Sequence, residues 1–119
     1  MNPTPNMVAG DVVLTGLQQA DGATKLRLVL LLCRLPGHGD WLACGISTQI
    51  RHQVTGFDER ISPADADYAG SGLRSESLLR LGFPGTVTGP QIAGSLGQIA
   101  PDRLSRLRTN LSRHLLAQS

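Results

Sequence analysis

Arg27 has the most chemically informative setting in this 119-residue chain, because it lies within an otherwise aliphatic run, KLRLVLLL at residues 25–32. A guanidinium keeps its charge and presents five N–H donors, so it needs acceptors and is not buried alone. We therefore expect Arg27 near the beginning of a strand, with its head group at the rim of the sheet. It is either a structural arginine, paired with a carboxylate such as Asp11 or Asp21, or an arginine directed at a phosphate.

Two further segments contain side chains that could act together with Arg27. ISTQI at residues 46–50 presents two adjacent hydroxyl groups and an amide, and ESLLRL at residues 76–81 places Arg80 among leucines. Taken alone, Ser47 and Thr48 are ordinary strand residues, and Arg80 alone is most simply an ion-paired one. Only their combination with Arg27 favours a phosphate-binding site.

Composition excludes several classes of site. Aromatic residues make up 3% of the chain, which argues against the base-stacking surfaces of many single-strand binders. Cys33 and Cys44 are too few and too widely spaced for a zinc site, and we expect both as reduced thiols. No metal or cofactor is expected. The chain has no run long enough to span a membrane and no secretory signal pattern at its N-terminus, which predicts a cytoplasmic protein.

The elements that must position these side chains are mainly strands. Turn-forming residues follow the aliphatic run at Pro36, Gly37 and Gly39, which favours a strand over a buried helix. The patterns predict strands at residues 11–17, 25–32, 41–48, 76–81 and 86–88, with a short one at 51–55. We expect residues 1–8 to be a loose lead-in, residues 56–72 a loop with one helical turn, and residues 82–97 an irregular glycine-rich stretch.

The end of the chain predicts one long helix. Pro101 suits the first helical position and Asp102 complements the positive end of the helix dipole. An apolar stripe follows at three- and four-residue steps, formed by Leu104, Leu107, Leu111 and Leu115. Another face carries Arg103, Arg106 and Arg113, and it is either solvated or a surface for acidic partners. The whole chain, residues 1–119, is predicted to be one α+β domain built as a small, strongly bent antiparallel barrel with a C-terminal helix.

Five segments in order resemble the MazF/PemK toxins of bacterial toxin–antitoxin pairs. They are GDVVLT at 10–15, KLRLVLLL at 25–32, ISTQI at 46–50, SGLRSESLLRL at 71–81 and LGQIAPDRLSRL at 96–107. The resemblance covers nearly all of the chain after Met7. It implies the Src-homology-3-like barrel of the MazF, PemK and CcdB type, a homodimer, cleavage of single-stranded RNA, and a cognate antitoxin whose extended tail occupies the RNA-binding groove.

The resemblance also implies roles for particular residues. Arg27 matches the catalytic arginine of the family pattern K-x-R-P, with Leu28 in place of the proline. Ser47 matches the catalytic hydroxyl, followed by Thr48 and Gln49 as substrate-binding residues. Arg80 matches the arginine of a later Arg-x-Asp feature, whose aspartate is replaced here by Gly82. Together with Lys25 and Arg51, the two matched arginines are expected to give the groove its positive charge.

RNA cleavage of this kind begins when the ribose 2′-hydroxyl attacks the adjacent phosphorus. Arg27 would stabilise the charge that develops on the phosphoryl oxygens, and Ser47 would bind a phosphate oxygen or hold the 2′-hydroxyl. Neither is a good base, and His52 and Glu76 are the candidates for that role. The alternative function is a toxin-like binding module without catalysis, favoured by Leu28 and Gly82, whereas Arg27, Ser47 and Gln49 favour the enzyme. A third possibility, a gyrase-poisoning toxin of the same fold, has no residue that points to it.

Overall fold

The computed structural model describes residues 6–18 and 20–118, which form a strongly curved antiparallel sheet and a C-terminal helix. The strands are β1 (Asp11–Gln18), β2 (Thr24–Arg34), β3 (Trp41–Ser47), β4 (Glu59–Ile61), β5 (Ser77–Val87) and β6 (Ile92–Gln98). The helices are α1 (Tyr68–Ser71) and α2 (Pro101–Ala117). Within the sheet the strands pair in the order β4-β5-β3-β2-β1-β6, and together they form a six-stranded half-barrel. The predicted bent antiparallel barrel with a C-terminal helix is confirmed.

The aliphatic run of β2 is continuous because this strand is buried on both faces. Leu30 and Leu32 belong to a core cluster that includes Leu104 and Leu107 of α2. The intervening residues Val29 and Leu31 belong to a second cluster, on the other face of the sheet, with Met7, Trp41, Ala43 and Val87. Side chains alternate between the faces of a strand, so an unbroken apolar sequence supplies both clusters at once. The interpretation of residues 25–32 as a strand is confirmed.

The N-terminal part of the chain contributes to this second cluster. Residues 1–5 of the predicted lead-in lie outside the described residues. Met7 is buried, and the Val8 N–H donates to the Asp11 carboxylate at 2.9 Å. Packing against the sheet has therefore begun by Met7.

Several predicted boundaries were wrong in the second half of the chain. Residues 51–55 form no strand: Arg51 and His52 belong to a short 3-10 turn, Ile50–His52, and β4 lies in the predicted loop. β5 continues to Val87 through Gly82 and Pro84, because a bulge in its pairing with β3 accommodates them. The predicted separate strand at 86–88 is therefore the end of β5. β6 begins at Ile92, so the last part of the stretch predicted to be irregular is also a strand.

Glycines of β6 allow close packing rather than marking a loop. A Cβ at Gly97 would collide with the Gly70 carbonyl oxygen of α1, so only glycine lets that helix approach the strand. Gly72 ends α1 with a φ of +76°, and a Cβ added there would likewise collide with the Leu96 carbonyl oxygen. These contacts explain why glycine content misled the prediction for β6.

The predicted helix from Pro101 is confirmed, although its apolar stripe is only partly covered. Leu104 and Leu107 are buried and Leu111 packs against the same cluster, whereas Leu115 is 64% exposed. Residues 112–118 are all exposed, so the predicted stripe is covered by the protein only as far as Leu111. Both cysteines are free thiols, as expected.

Candidate functional site: a groove across β2, β3 and β5

A groove of about 710 Å³ crosses the face of the sheet formed by β2, β3 and β5. The two-residue period of each strand puts alternate residues on this face: Arg27 and Val29 of β2, Ala43, Gly45 and Ser47 of β3, and Phe83, Gly85 and Val87 of β5. Val29, Ala43 and Val87 are buried members of the second core cluster. The groove therefore has a rigid apolar base with polar groups at its edge.

Arg27 lies at the edge of this groove with an exposed side chain. Its backbone carbonyl accepts a hydrogen bond from the Thr15 hydroxyl at 3.1 Å, which fixes this end of β2 against β1. Within residues 6–18 and 20–118, its guanidinium forms no ion pair. The charge is thus available to a ligand.

The structural alternative for Arg27 is wrong, because the two candidate carboxylates are engaged elsewhere. Asp11 accepts hydrogen bonds from the Val8 N–H at 2.9 Å and the Gln98 side-chain amide at 2.8 Å. Asp21 accepts the Ala23 N–H at 2.9 Å within its own turn. Neither forms an ion pair with Arg27 in the described part of the chain.

Ser47, Thr48 and Gln49 lie at the end of β3, on the groove. The ladder between β2 and β3 ends at the pair Val29–Gly45, two residues before Arg27 and Ser47 would face each other in the same register. The two strands diverge there and leave both side chains bordering the groove. The Ser47 hydroxyl oxygen accepts the Gln49 N–H at 3.0 Å, so its own hydrogen remains available to a ligand.

A smaller cavity of about 200 Å³ adjoins the groove beyond Ser47 and Thr48. It is lined by both of these residues and by Leu28, and on its far side by residues of the segment 72–77, including the exposed Arg74. Arg74 was not among the sequence candidates, because it lies in a turn with no apolar pattern around it. It adds a second cation near the hydroxyl pair.

Arg80 does not line the groove. Its guanidinium carbon lies 3.8 Å from the ring centroid of Phe83, a groove residue that sequence reasoning missed. The signal available was the segment RLGFPG, where one aromatic residue stands among strand-breaking residues. A low overall aromatic content concealed the fact that a single phenylalanine is exposed in the groove.

The remaining charged candidates lie outside the groove. Lys25, Arg51 and His52 are exposed, but none of them lines either cavity. Glu76 accepts a hydrogen bond from the Ser62 hydroxyl at 2.6 Å and lines neither cavity, although its neighbours Ser75 and Ser77 line the smaller one. The structure therefore brings Arg27, Ser47, Thr48 and Gln49 together and leaves the two candidate bases apart from them.

The electrostatic character of the groove is positive. Among its described lining residues Arg27 is the only ionised side chain, and no aspartate or glutamate is present. Burial, followed by the charge of Asp58, raises the pKa of the Cys44 thiol to about 12, so this groove residue is not a nucleophile. No group of histidine, cysteine or acidic residues in the described chain could hold a metal ion. The chemistry offered is anion binding by a guanidinium beside a hydroxyl group.

Comparisons with known proteins relate the chain to others through its fold. No protein-family model matches the chain, and no curated protein sequence matches it. The structure is similar to that of an endoribonuclease from a mycobacterial species, with a TM-score of 0.64 and 15% identity, over 100% of this chain and 97% of that one. It is equally similar to a mycobacterial endoribonuclease solved in complex with its cognate antitoxin, with a TM-score of 0.64 and 14% identity, over 95% and 98% of the chains. At this identity the likeness establishes a shared fold.

None of the described helices is long and apolar enough to span a membrane.

Proposed function

We propose that this protein is a toxin endoribonuclease of the MazF/PemK type that cleaves single-stranded RNA. The observation that carries the proposal is the exposed Arg27: among the described residues it has no carboxylate partner, and it lines, together with Ser47, a groove to which no described acidic residue contributes. The fold shared with the two mycobacterial endoribonucleases supports it. An unpaired guanidinium in such a setting suits a phosphate, which it can hold through two parallel charge-assisted hydrogen bonds.

The proposed reaction is a transesterification within the RNA strand. The 2′-oxygen of one ribose forms a bond to the adjacent phosphorus, and the bond from that phosphorus to the 5′-oxygen of the next nucleotide breaks. The 2′-hydroxyl loses its proton and the departing 5′-oxygen gains one, which leaves a 2′,3′-cyclic phosphate and a 5′-hydroxyl. Negative charge accumulates on the phosphoryl oxygens before the bond breaks, and groups that bind this charge accelerate the step.

The groove residues divide this work. Arg27 binds the phosphoryl oxygens as their charge develops, and Ser47 donates its free hydroxyl hydrogen to one of them or to the 2′-oxygen. Thr48 and Gln49 bind the flanking backbone, and Lys25 adds positive charge near the beginning of β2. No described groove residue is a good base, and Gly82 stands where the family pattern has an aspartate. We therefore expect slow cleavage.

Mapping the products of a long single-stranded RNA tests the activity. Purified protein should produce cyclic-phosphate ends at a limited set of positions, and a 2′-deoxy substitution at one of these positions should block that cut. Products of a contaminating nuclease would persist in the Arg27→Ala protein. Absence of cuts by the unmodified protein, at high enzyme concentration and long incubation, would contradict the proposal.

The groove itself can be blocked without touching a proposed catalytic residue. Gly85 lines the groove, and a Cβ built on it meets no atom within 4 Å. Gly85→Leu should therefore abolish cleavage and leave the melting temperature nearly unchanged. Gly82→Leu is the matched control, because Gly82 is on the same strand and equally open but does not line the groove. Equal rates of RNA cleavage by the two variants would mean that the RNA does not bind in this groove.

A binding module without catalysis is the second candidate function. The specific observation in its favour is that His52 and Glu76, the candidate bases, lie outside the groove. This candidate predicts salt-sensitive RNA binding with no cyclic-phosphate ends. It also predicts no cleavage by Gly82→Asp, a variant that would restore the carboxylate of the family pattern.

We further propose that the protein works in the cytoplasm as a two-fold homodimer that a cognate antitoxin neutralises. Isologous pairing would align two copies of Arg27 and Ser47 along one groove, which suits an extended RNA strand or an antitoxin tail. The complex formed by one mycobacterial endoribonuclease with its antitoxin supports the antitoxin proposal. Light scattering at micromolar concentrations tests the dimer, and a small acidic reading frame beside the gene would supply the antitoxin.

A further inference from the structure

Phe83 is an exposed aromatic side chain held in place by the backbone of two strands. It is 58% exposed and lines the groove. The pairing of β3 with β5 shifts from Gly45–Arg80 to Cys44–Pro84, so residues 81–83 form a bulge that turns Phe83 onto Gly45. A Cβ at Gly45 would lie 3.3 Å from the Phe83 Cβ, so the absence of a side chain there makes room for the phenylalanine.

Arg80 lies over one face of this ring. Its guanidinium carbon is 3.8 Å from the Phe83 centroid, well within the range of a cation–π contact. The Arg80 Nε is buried without a hydrogen-bond partner, and the side chain forms no ion pair in the described part of the chain. The aromatic ring is therefore the contact that orients this arginine, and the arginine in turn orients the ring.

A second arginine–aromatic pair shows what is unusual here. The guanidinium carbon of Arg34 lies 4.4 Å from the Trp41 ring centroid, but Trp41 is only 4% exposed and belongs to the second core cluster. Phe83 is contacted by Arg80 on one face and packs against Gly45, yet it is 58% exposed and lines the groove. The exposed part of the ring is available to a planar ligand.

We propose that Phe83 is the stacking platform for one nucleobase of single-stranded RNA in the groove, and that Arg80 is its positioning residue. This inference rests on the proposed function and adds a specific base-binding site to it. Every nucleobase has a π face that can stack on an aromatic side chain, and the phosphates of the RNA backbone can bind the cation that Arg27 supplies in the same groove. No aspartate or glutamate is among the described residues that line the groove, which suits a polyanion that carries flat bases.

The position of the platform indicates which base it binds. β2 and β5 flank β3, so Arg27 and Phe83 are separated by at least two strand spacings, about 10 Å, across the groove. We therefore expect a phosphate bound at Arg27 and a base stacked on Phe83 to belong to different nucleotides of the same short stretch of RNA. Arg80 acts through the ring and contacts no phosphate, which differs from the phosphate-binding role that the sequence resemblance implied.

The test measures binding of short single-stranded RNAs in which one nucleotide at a time is abasic, by fluorescence anisotropy. For the unmodified protein, one abasic position should weaken binding roughly ten-fold, within the range of base–aromatic stacking. Phe83→Leu should weaken binding of the intact RNA by the same factor and lose sensitivity to that position. Phe83→Tyr and Phe83→Trp should keep both the affinity and the sensitivity, since each retains an aromatic ring.

Two further variants separate stacking from its alternatives. Leu26→Ala is the matched control, because Leu26 is also 58% exposed and lines the groove without a π face; it should leave the sensitivity to the abasic position intact. Arg80→Met should weaken binding roughly three-fold in the unmodified background, as expected for loss of an exposed cation–π contact, and not at all in Phe83→Leu. The salt dependence of binding should be unchanged in Phe83→Leu and reduced in Arg27→Met.

Each outcome decides one claim. An abasic penalty that persists in Phe83→Leu, with melting temperature unchanged, overturns the platform even if the protein cleaves RNA. Position-specific stacking without any cleavage supports the platform and overturns the proposed nuclease function. Binding of a protein partner through Phe83, with no RNA binding, overturns both.

Discussion

Arg103 and Arg27 carry the same guanidinium group in opposite surroundings. Arg103, on the first turn of α2, is 7% exposed and forms ion pairs with three carboxylates: Asp67 at 2.8 Å, Glu59 at 3.0 Å and Asp65 at 3.2 Å. It also donates to the Arg60 carbonyl at 2.9 Å. Arg27 is exposed, borders a groove and pairs with no described carboxylate.

The difference separates an arginine that holds the fold from one that is available to a ligand. The Arg103 cluster, defined as Arg103, Glu59, Asp65 and Asp67, joins α2 to the segment that contains β4. The Asp67 carboxylate also accepts the Ala100 N–H at 2.9 Å, so it anchors the start of α2. The prediction of a solvated or partner-binding arginine face on α2 was wrong for Arg103, because its donors are satisfied within the protein.

The largest effect is expected from Arg27→Ala. Removal of a transition-state donor of this kind lowers the rate by about 10²- to 10³-fold, and Arg27 is the one cation among the described residues that line the groove. Arg27→Lys should also lose most activity, because an ammonium cannot replace the planar fork. Single-turnover cleavage rates measure both, with melting temperatures nearly unchanged. Cleavage by either variant at the rate of the unmodified protein would remove Arg27 from the mechanism.

Arg103→Met should lower the free energy of unfolding by about 3 kcal/mol, because it removes a buried guanidinium and leaves three partly buried carboxylates without their counter-charge. Arg106→Ala is the matched control, since Arg106 is on the same helix and bonds Glu59 but is half exposed. It should cost less than about 1 kcal/mol. Urea denaturation measures both values. Similar losses for the two variants would mean that the buried cluster is no more important than a surface ion pair.

Acid should weaken the Arg103 cluster through Asp67. Hydrogen bonding to Arg103, helped by the Ala100 N–H, holds the pKa of the Asp67 carboxyl below its ordinary value of 3.8. Such a group stabilises the fold above its unfolded pKa, and the contribution is lost as pH falls through the folded pKa. Asp67→Asn should therefore cost about 2 kcal/mol at pH 7, with the difference narrowing below about pH 4. A difference that stays constant from pH 7 to pH 2.5 would exclude this linkage.

The smallest effect is expected from the hydroxyl pair. Ser47→Ala should slow cleavage about ten-fold, the cost of one hydrogen bond to a charged group, and Thr48→Ala should slow it less. Ser47 is on the same sheet face as Arg27, whereas Thr48 follows the end of β3. Single-turnover cleavage rates of Ser47→Ala and Thr48→Ala, compared with that of Arg27→Ala, measure this ranking. The reverse order would place the catalytic hydroxyl one residue later, at Thr48.

Local patterns were sufficient for the elements nearest the groove. The aliphatic run predicts β2 because a strand buried on both faces must be apolar throughout. The charge of Arg27 requires it to lie near the beginning of that run, where its head group can reach the rim of the sheet. Pro101 and Asp102 predict the start of α2 for equally local reasons. Each of these inferences depends on residues adjacent in the chain, which is why sequence patterns captured them.

The chain order alone could not reveal which charged residues pair. The carboxylates that bind Arg103 come from Asp67, Asp65 and Glu59, at separations of 36, 38 and 44 residues. No periodicity connects positions so far apart, and the helical spacing of Arg103, Arg106 and Arg113 suggested one shared face. Folding buries the first of the three and leaves the other two exposed, since α2 meets β4 only near its beginning.

The same reason accounts for the groove. Ser47 and Arg27 border one groove because the β2–β3 ladder ends two residues before them, and Phe83 joins them because a bulge in β5 turns it onto Gly45. Strand pairing, register and bulges are set by contacts between distant segments, which a linear pattern does not contain. The residue types of this protein specify its strands and its cations, whereas the pairing of those strands decides which cation meets a carboxylate and which one remains available to a ligand.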